Sequence, residues 1–346
     1  MTVLSKLLKP LYRYQLFWDI AAPLSRFYSV SNMMKLPSSI IVEPTDACNL
    51  RYPVCPTHFD MFRKRGFLKN DVLRAVVDDF KNIKKKPTIS FNFAGEPTLH
   101  KGLNEHIKYA HDHGHHTFVS TNVSFLNKEM STKLIAAGLS GIHLCIDGFT
   151  KESQEIYRVG SKFEVIKKNI EDFMAAKKEL KASNPKVVIQ TLLTSFSENE
   201  LKEIVNWAEE LGVDAVNFKT LSMGTYTTDE MKKKYAFLLP NNAKYRRKIT
   251  TLQRSLCTQP IRGSVVYWNG ELGLCCVDFD NKVKMSNVLD GGFIQAWRMK
   301  SNAEKRLGGF RKQYVMCKNC SLANADFMGV EISLKEKEKY REFFIH

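Results

Sequence analysis

No apolar run in this 346-residue chain approaches the roughly 20 residues that a bilayer-spanning helix needs. That excludes an α-helical transmembrane protein. The amino terminus also lacks the long apolar core and small-residue cleavage site of a secretory leader. The eight cysteines are therefore expected to serve metal or redox chemistry in a reducing cytoplasm, not a disulfide framework. There is no internal repeat, no low-complexity tract, no hydrolase signature and no glycine fingerprint for phosphates. Acidic residues are scarce beside basic ones, 36 against 52, which leaves a net charge of +16. Such a surface favours an anionic partner, here an acidic or phosphorylated small molecule, and no clear nucleic-acid partner emerges. The segment "LSKLLKPLYRYQLFWDIAAPL" is amphipathic, basic and aromatic. It can dock on the protein's own body or make peripheral membrane contact.

From residue 39 short β-rich runs alternate with amphipathic helical patterns. The strand candidates are "SIIVEP", "TISFNFAG", "HTFVSTNV", "GIHLCIDG", "KVVIQTLLTS" and "AVNFKTL", each short and rich in Val, Ile, Phe or Thr. Gly114, Gly138 and Gly212 fall where the intervening helices should stop. Six βα units in a row predict an α/β fold with a parallel sheet, read as a partial (βα)6 TIM-like barrel, and an open doubly wound sheet is the alternative. In either, chemistry belongs at the carboxyl ends of the strands. The histidine-rich "HDHGHH" between two elements reads as a solvated turn. The domains are expected at 1–38 (amphipathic extension), 39–225 (barrel), 226–249 (helical linker) and 250–346 (a cysteine-bearing domain and tail).

Cysteines Cys48 and Cys55 sit directly after the first strand in "VEPTDACNLRYPVCP". With a thiol at position 52 the spacing would be C-x3-C-x2-C. Three thiolates in that pattern can wrap one [4Fe–4S] cluster and leave its fourth iron open. The loop resembles that of radical SAM enzymes, with Leu50, Arg51 and the Pro-x-Cys-Pro ending also matching. In that superfamily the open iron takes the amino and carboxylate groups of S-adenosylmethionine, and one electron then yields methionine and a 5′-deoxyadenosyl radical. "FAGEPTLH" resembles the superfamily's Gly-Gly-Glu-Pro motif with Ala94 as its first residue. By that resemblance Gly95 and Glu96 present backbone and carboxylate groups to the ammonium of S-adenosylmethionine, Ala94 belongs to the same cofactor-binding set, and Arg158 pairs with the methionyl carboxylate. Ser120, Asn122, Asp147 and Gln190 complete the implied cofactor-binding set. An electron donor such as flavodoxin or ferredoxin is implied as a partner.

A second cysteine group follows. Cys257, Gly270 and Cys275 have the spacing C-x12-G-x4-C, and Cys317 and Cys320 form a C-x2-C pair. The layout resembles the SPASM and shortened "twitch" extensions of radical SAM enzymes, in a form with one auxiliary [4Fe–4S] cluster. A four-cysteine zinc site is the alternative. Cys276 competes with Cys275 as the ligand, and Cys145 reads as a small core residue. By cysteine layout the implied reaction is a two-electron oxidation or other modification of a small molecule, and peptide modification is the rival.

Position 52 does not fit the pattern. It is Tyr52, a phenol with an ordinary pKa about 10 against about 8.5 for a thiol. Three readings stand: an isolated change in an active enzyme, a non-catalytic member that keeps the fold, or an unusual cluster completed by another ligand.

Overall fold

The structure is a computed structural model that describes residues 29–59, 61–223, 226–249, 256–318, 320–327, 329–336 and 338. The first 28 residues, which carry the amphipathic segment, lie outside the described residues. Six parallel strands alternate with helices: β1 Ser39–Val42, β2 Thr88–Phe91, β3 Thr117–Thr121, β4 Gly141–Cys145, β5 Lys186–Leu193 and β6 Ala215–Thr220. The helices between them are α1 Asn70–Val77, α2 Leu103–Asp112, α3 Lys128–Ala136, α4 Lys151–Tyr157, α5 Phe163–Glu179 and α6 Leu201–Leu211. Helix α1 shows why the units pack. It buries Val72, Leu73, Val76 and Val77, one stripe at helical spacing.

Each strand has two unlike faces. Ile40, Val42, Ile89, Phe91, Val119, Ile142, Leu144, Val187, Ile189, Val216 and Phe218 alternate along the strands and are buried in a single core. The opposite face, including Ser120, His143, Gln190 and Asn217, is only half-buried. Gly138 and Gly212 take left-handed φ values of 82° and 73° where α3 and α6 end, as their sequence positions imply.

The sheet is larger than the six repeats. β8 Gly263–Val266 pairs in parallel with β1, β9 Leu272–Gly273 turns back on β8, and β11 Gly329–Ser333 runs antiparallel along β6. The order is β11-β6-β5-β4-β3-β2-β1-β8-β9. The cysteine-bearing segment is thus bound into the barrel's own sheet at both edges. These strands are two to five residues long, and β8 and β11 pair with segments more than a hundred residues away, so local pattern gives them little signal. A separate pair, β7 Lys248–Ile249 with β10 Ala325–Phe327, ties the linker to the C-terminal region. The linker is α-helical only at Asp229–Lys234, and the stretch after Asn287 forms two helices, Phe293–Arg298 and Lys300–Phe310. Asp79, just past α1, caps the first of them by accepting from the Ile294 amide at 2.7 Å.

Candidate functional site

The cysteine loop leaves β1 and is pressed against the end of β2. A Cβ on Gly95 would stand 2.4 Å from the carbonyl oxygens of Thr45 and Ala47, so only glycine fits. The Glu96 amide then donates to Ala47 O at 2.8 Å. Downstream, Arg63 forks onto the fully buried Glu43 and reaches Asp46 at 3.3 Å. Its guanidinium lies 4.7 Å over Tyr267. The Phe62 and Arg63 amides donate to Asp280 at 2.6 and 2.8 Å. The loop is thereby clamped between the barrel and the C-terminal segment.

At the strand ends the structure brings Cys48, Tyr52, Glu96, Asn122, Asp147 and Arg158 into one neighbourhood. Glu96 Oε1 accepts from the Thr98 amide, the Thr98 hydroxyl and the Thr121 hydroxyl, and Oε2 accepts from the Asn122 amide at 2.7 Å. This buried carboxylate splices β2 to β3, and most of its capacity is spent within the protein. Asn122 Nδ2 donates to Asn49 Oδ1 at 2.9 Å and lies 3.9 Å from Cys48 Sγ. Asp147 Oδ1 accepts from the Leu192 amide at 2.8 Å, while Oδ2 binds Arg158 Nε at 2.6 Å. The pair is almost fully buried. Ala94 lies buried beside Gly95.

Tyr52 is held in place by these same residues. Its ring stacks on Tyr157 with centroids 5.6 Å apart, Arg158 lies 5.3 Å over its face, and Arg158 Nη1 donates to its hydroxyl at 3.3 Å. Burial raises its pKa far above the ordinary 10, against the pull of Arg158. The phenol therefore stays protonated. Burial raises Cys48 and Cys55 as well, and Cys55 Sγ pairs with the Thr57 hydroxyl at 3.0 Å. A [4Fe–4S] cluster in this loop would need three thiolates. Two thiols and a neutral phenol engaged with an arginine do not fit it.

Ser120 and Gln190 lie on the inward face of the barrel, where they meet two residues that no motif singled out. Ser120 Oγ is 3.4 Å from Cys145 Sγ, Gln190 Nε2 donates to the same sulfur at 3.5 Å, and Gln190 Oε1 is 3.1 Å from His143 Nδ1. Cys145 is buried, as a core residue would be, but its thiol points into this polar cluster. The only signal available in the sequence was strand alternation. Of the histidine-rich turn, His111 and His116 are exposed while His115 is buried with Nδ1 on Pro87 O at 2.9 Å.

In the C-terminal segment Cys257, Cys275, Cys317 and Cys320 line one cavity together with Leu274 and Gly309. A Cβ on Gly309 would stand 2.9 Å from Leu274, so a side chain there would crowd this wall. Cys276 is not in the lining, although it feels the charge of Cys320 and Cys257; burial pushes it up to about 12. Burial likewise pushes Cys317 up to about 11 and Cys275 well above its ordinary value. Among the described residues no three Cys, His, Asp or Glu side chains stand close enough to share one metal ion. A cavity walled by four soft thiols offers the donor set that an iron–sulfur cluster needs. Arg247 bridges this segment to the barrel, donating to Thr220 O at 3.1 Å and Ser321 Oγ at 3.3 Å.

The family model of the radical SAM superfamily matches residues 42–208, and that of the SPASM iron–sulfur cluster-binding domain matches residues 257–321. The chain belongs to the radical SAM superfamily. Domains of these two kinds imply S-adenosylmethionine and [4Fe–4S] clusters. Among curated relatives, the 7,8-dihydro-6-hydroxymethylpterin dimethyltransferase of Methanocaldococcus jannaschii is 32% identical over 52% of this chain and 36% of its own length. The tungsten-containing aldehyde ferredoxin oxidoreductase cofactor-modifying protein of Pyrococcus furiosus is 24% identical over 51% of this chain and 49% of its own. The chain thus spans half or less of the length of these two relatives. Among solved structures, BtrN in complex with AdoMet and 2-DOIA superposes with a TM-score of 0.55 at 18% identity, covering 82% of this chain and 93% of that one. Streptococcus suis SuiB bound to S-adenosylmethionine gives 0.60 at 15% identity, covering 83% and 72%. These likenesses concern the fold. No helix among the described residues is long and apolar enough to cross a membrane.

Proposed function

We propose that this chain is a radical SAM scaffold for modifying a small molecule, arranged for two-electron oxidation, in which Tyr52 withholds the radical-generating cluster and the C-terminal cluster is kept. One observation carries the reading: the Tyr52 phenol is buried, protonated and hydrogen-bonded to Arg158, so the loop offers only two thiols to iron. The C-terminal segment, by contrast, presents four thiols to one cavity. Cys257, Cys275, Cys317 and Cys320 would hold the auxiliary cluster, which supplies one-electron redox capacity beside the barrel. The polar face formed by Ser120, His143, Cys145 and Gln190 is the surface we assign to a small substrate. Arg158 and Asp147 brace the strand ends, and Glu96 splices β2 to β3, whether or not S-adenosylmethionine is bound.

The test is iron content after anaerobic reconstitution. The chain should hold about four irons and the Tyr52→Cys chain about eight, one cubane against two. Only the Tyr52→Cys chain should release 5′-deoxyadenosine on reduction with S-adenosylmethionine. Eight irons and 5′-deoxyadenosine from the unaltered chain would overturn the reading of position 52.

A further inference from the structure

We propose that the inward face of β4–β6 is a binding site for a hydroxylated small molecule bearing a phosphate or carboxylate, with Lys219 holding the anion and His143 and Gln190 providing neutral hydrogen bonds. The inference rests on the small-molecule reading above and is independent of Tyr52.

Strand register places the parts. Cys145 lies opposite Gln190, Gln190 opposite Asn217, and Leu192 opposite Lys219. With Ile189 and Phe218 turned into the core, alternation puts Gln190, Leu192, Asn217 and Lys219 together on the other face. Phe118 closes this face from β3, its ring edge-on to His143 at 4.7 Å. Lys219 stands exposed in mid-sheet and takes part in none of the described ion pairs. This ammonium acts on both His143 and Cys145 from that face, and it draws an anion there.

His143 supplies the second half. Burial first, and the charge of Lys219 next, push its pKa down to about 4, so at neutral pH it is an uncharged hydrogen-bonding group. With Gln190 Oε1 facing Nδ1, that nitrogen carries the proton and Nε2 keeps its lone pair. A ligand hydroxyl can donate to it while the anionic group meets Lys219. Cys145 feels both Lys219 and Arg158. This face therefore neighbours the strand-end residue Arg158 as well as Lys219.

The experiment is calorimetric titration of the reconstituted full chain with inorganic phosphate and, separately, acetate. The tighter of the two identifies the anion class. Loss of one charge-assisted contact predicts binding weakened about tenfold or more in Lys219→Met. Lys219→Arg should stay within about threefold, since a guanidinium also serves these anions, and Lys202→Met on the exposed side of α6 should match the parent. Unchanged iron content and circular dichroism show that Lys219→Met is folded. The proposal is overturned if neither anion binds, if Lys219→Met binds like the parent, or if Lys202→Met weakens binding equally. No S-adenosylmethionine is present in the titration, so this inference and the reading of Tyr52 can each fail without the other.

Discussion

The loop after β1 and the segment from Cys257 to Cys320 both bury their thiols, and burial raises Cys48, Cys55, Cys257, Cys275 and Cys317 alike. A buried thiol is costly to ionise and becomes a ligand only when metal binding offsets that cost. Four thiols on one cavity make that offset large in the C-terminal segment. In the first loop the third position is a phenol, harder than sulfur and further from ionisation, and it has satisfied itself elsewhere, against Tyr157 and Arg158. One side chain converts a ligand set into a piece of packing. On the reading proposed above, a loop can keep its strand-end frame and lose its cofactor logic.

The strongest way to break this contrast is to remove thiols from each region in turn. Cys317→Ser and Cys320→Ser should each abolish nearly all bound iron in the otherwise unaltered chain, measured by iron assay and visible absorption. Cys48→Ser should leave iron content unchanged. If Cys48→Ser loses as much iron as Cys317→Ser, the first loop is a metal site after all and the contrast fails.

A smaller effect separates frame from cofactor. Asp147 and Arg158 are a buried ion pair, and breaking such a pair leaves an uncompensated charge. Asp147→Ala should therefore destabilise the fold by about 3–5 kcal/mol in urea unfolding, with or without iron. An equal effect that appears only in the iron-loaded protein would assign Asp147 to the cofactor and not to the scaffold.

The parts of this molecule legible in the sequence were those with local causes. Apolar runs four to eight residues long named β1 to β6, glycines marked helix ends, and cysteine spacing marked both thiol groups. The frame around Glu96 was legible as a motif but not as a splice, because its partners Thr121 and Asn122 stand at the end of the next strand, 25 and 26 residues on. β8 and β11 were illegible because their partners β1 and β6 are more than a hundred residues distant. His143 and Lys219 were also missed: each is an ordinary polar residue until register sets it on the inward face.

Acid should distinguish the regions next. Eight of the nine histidines precede residue 144, so histidine titration bears on the barrel. His143 and His106 are pushed from the ordinary 6.5 to about 4, by burial first and then by Lys219 and His100 respectively. Between those values the unfolded chain binds protons that the folded chain does not, so stability falls as pH drops through the window. Urea midpoints at pH 7 and pH 5 should show the loss, and Lys219→Met should reduce it by letting His143 charge more easily. An equal loss in His143→Gln and the parent would remove His143 from the account.

The smallest expected effect bears most directly on why Tyr52 is tolerated. If the phenol acts as packing, its ring matters more than its hydroxyl. Tyr52→Phe keeps the stack on Tyr157 and the cation–π contact with Arg158 and gives up only the 3.3 Å hydrogen bond. It should cost about 0.5–1.5 kcal/mol and leave iron content untouched. An oxygen that ligates iron would behave otherwise, since its removal would lower iron content or change the cluster's spectrum while barely moving the urea midpoint. The ratio of those two readouts, more than either alone, decides whether position 52 belongs to the core or to a cluster.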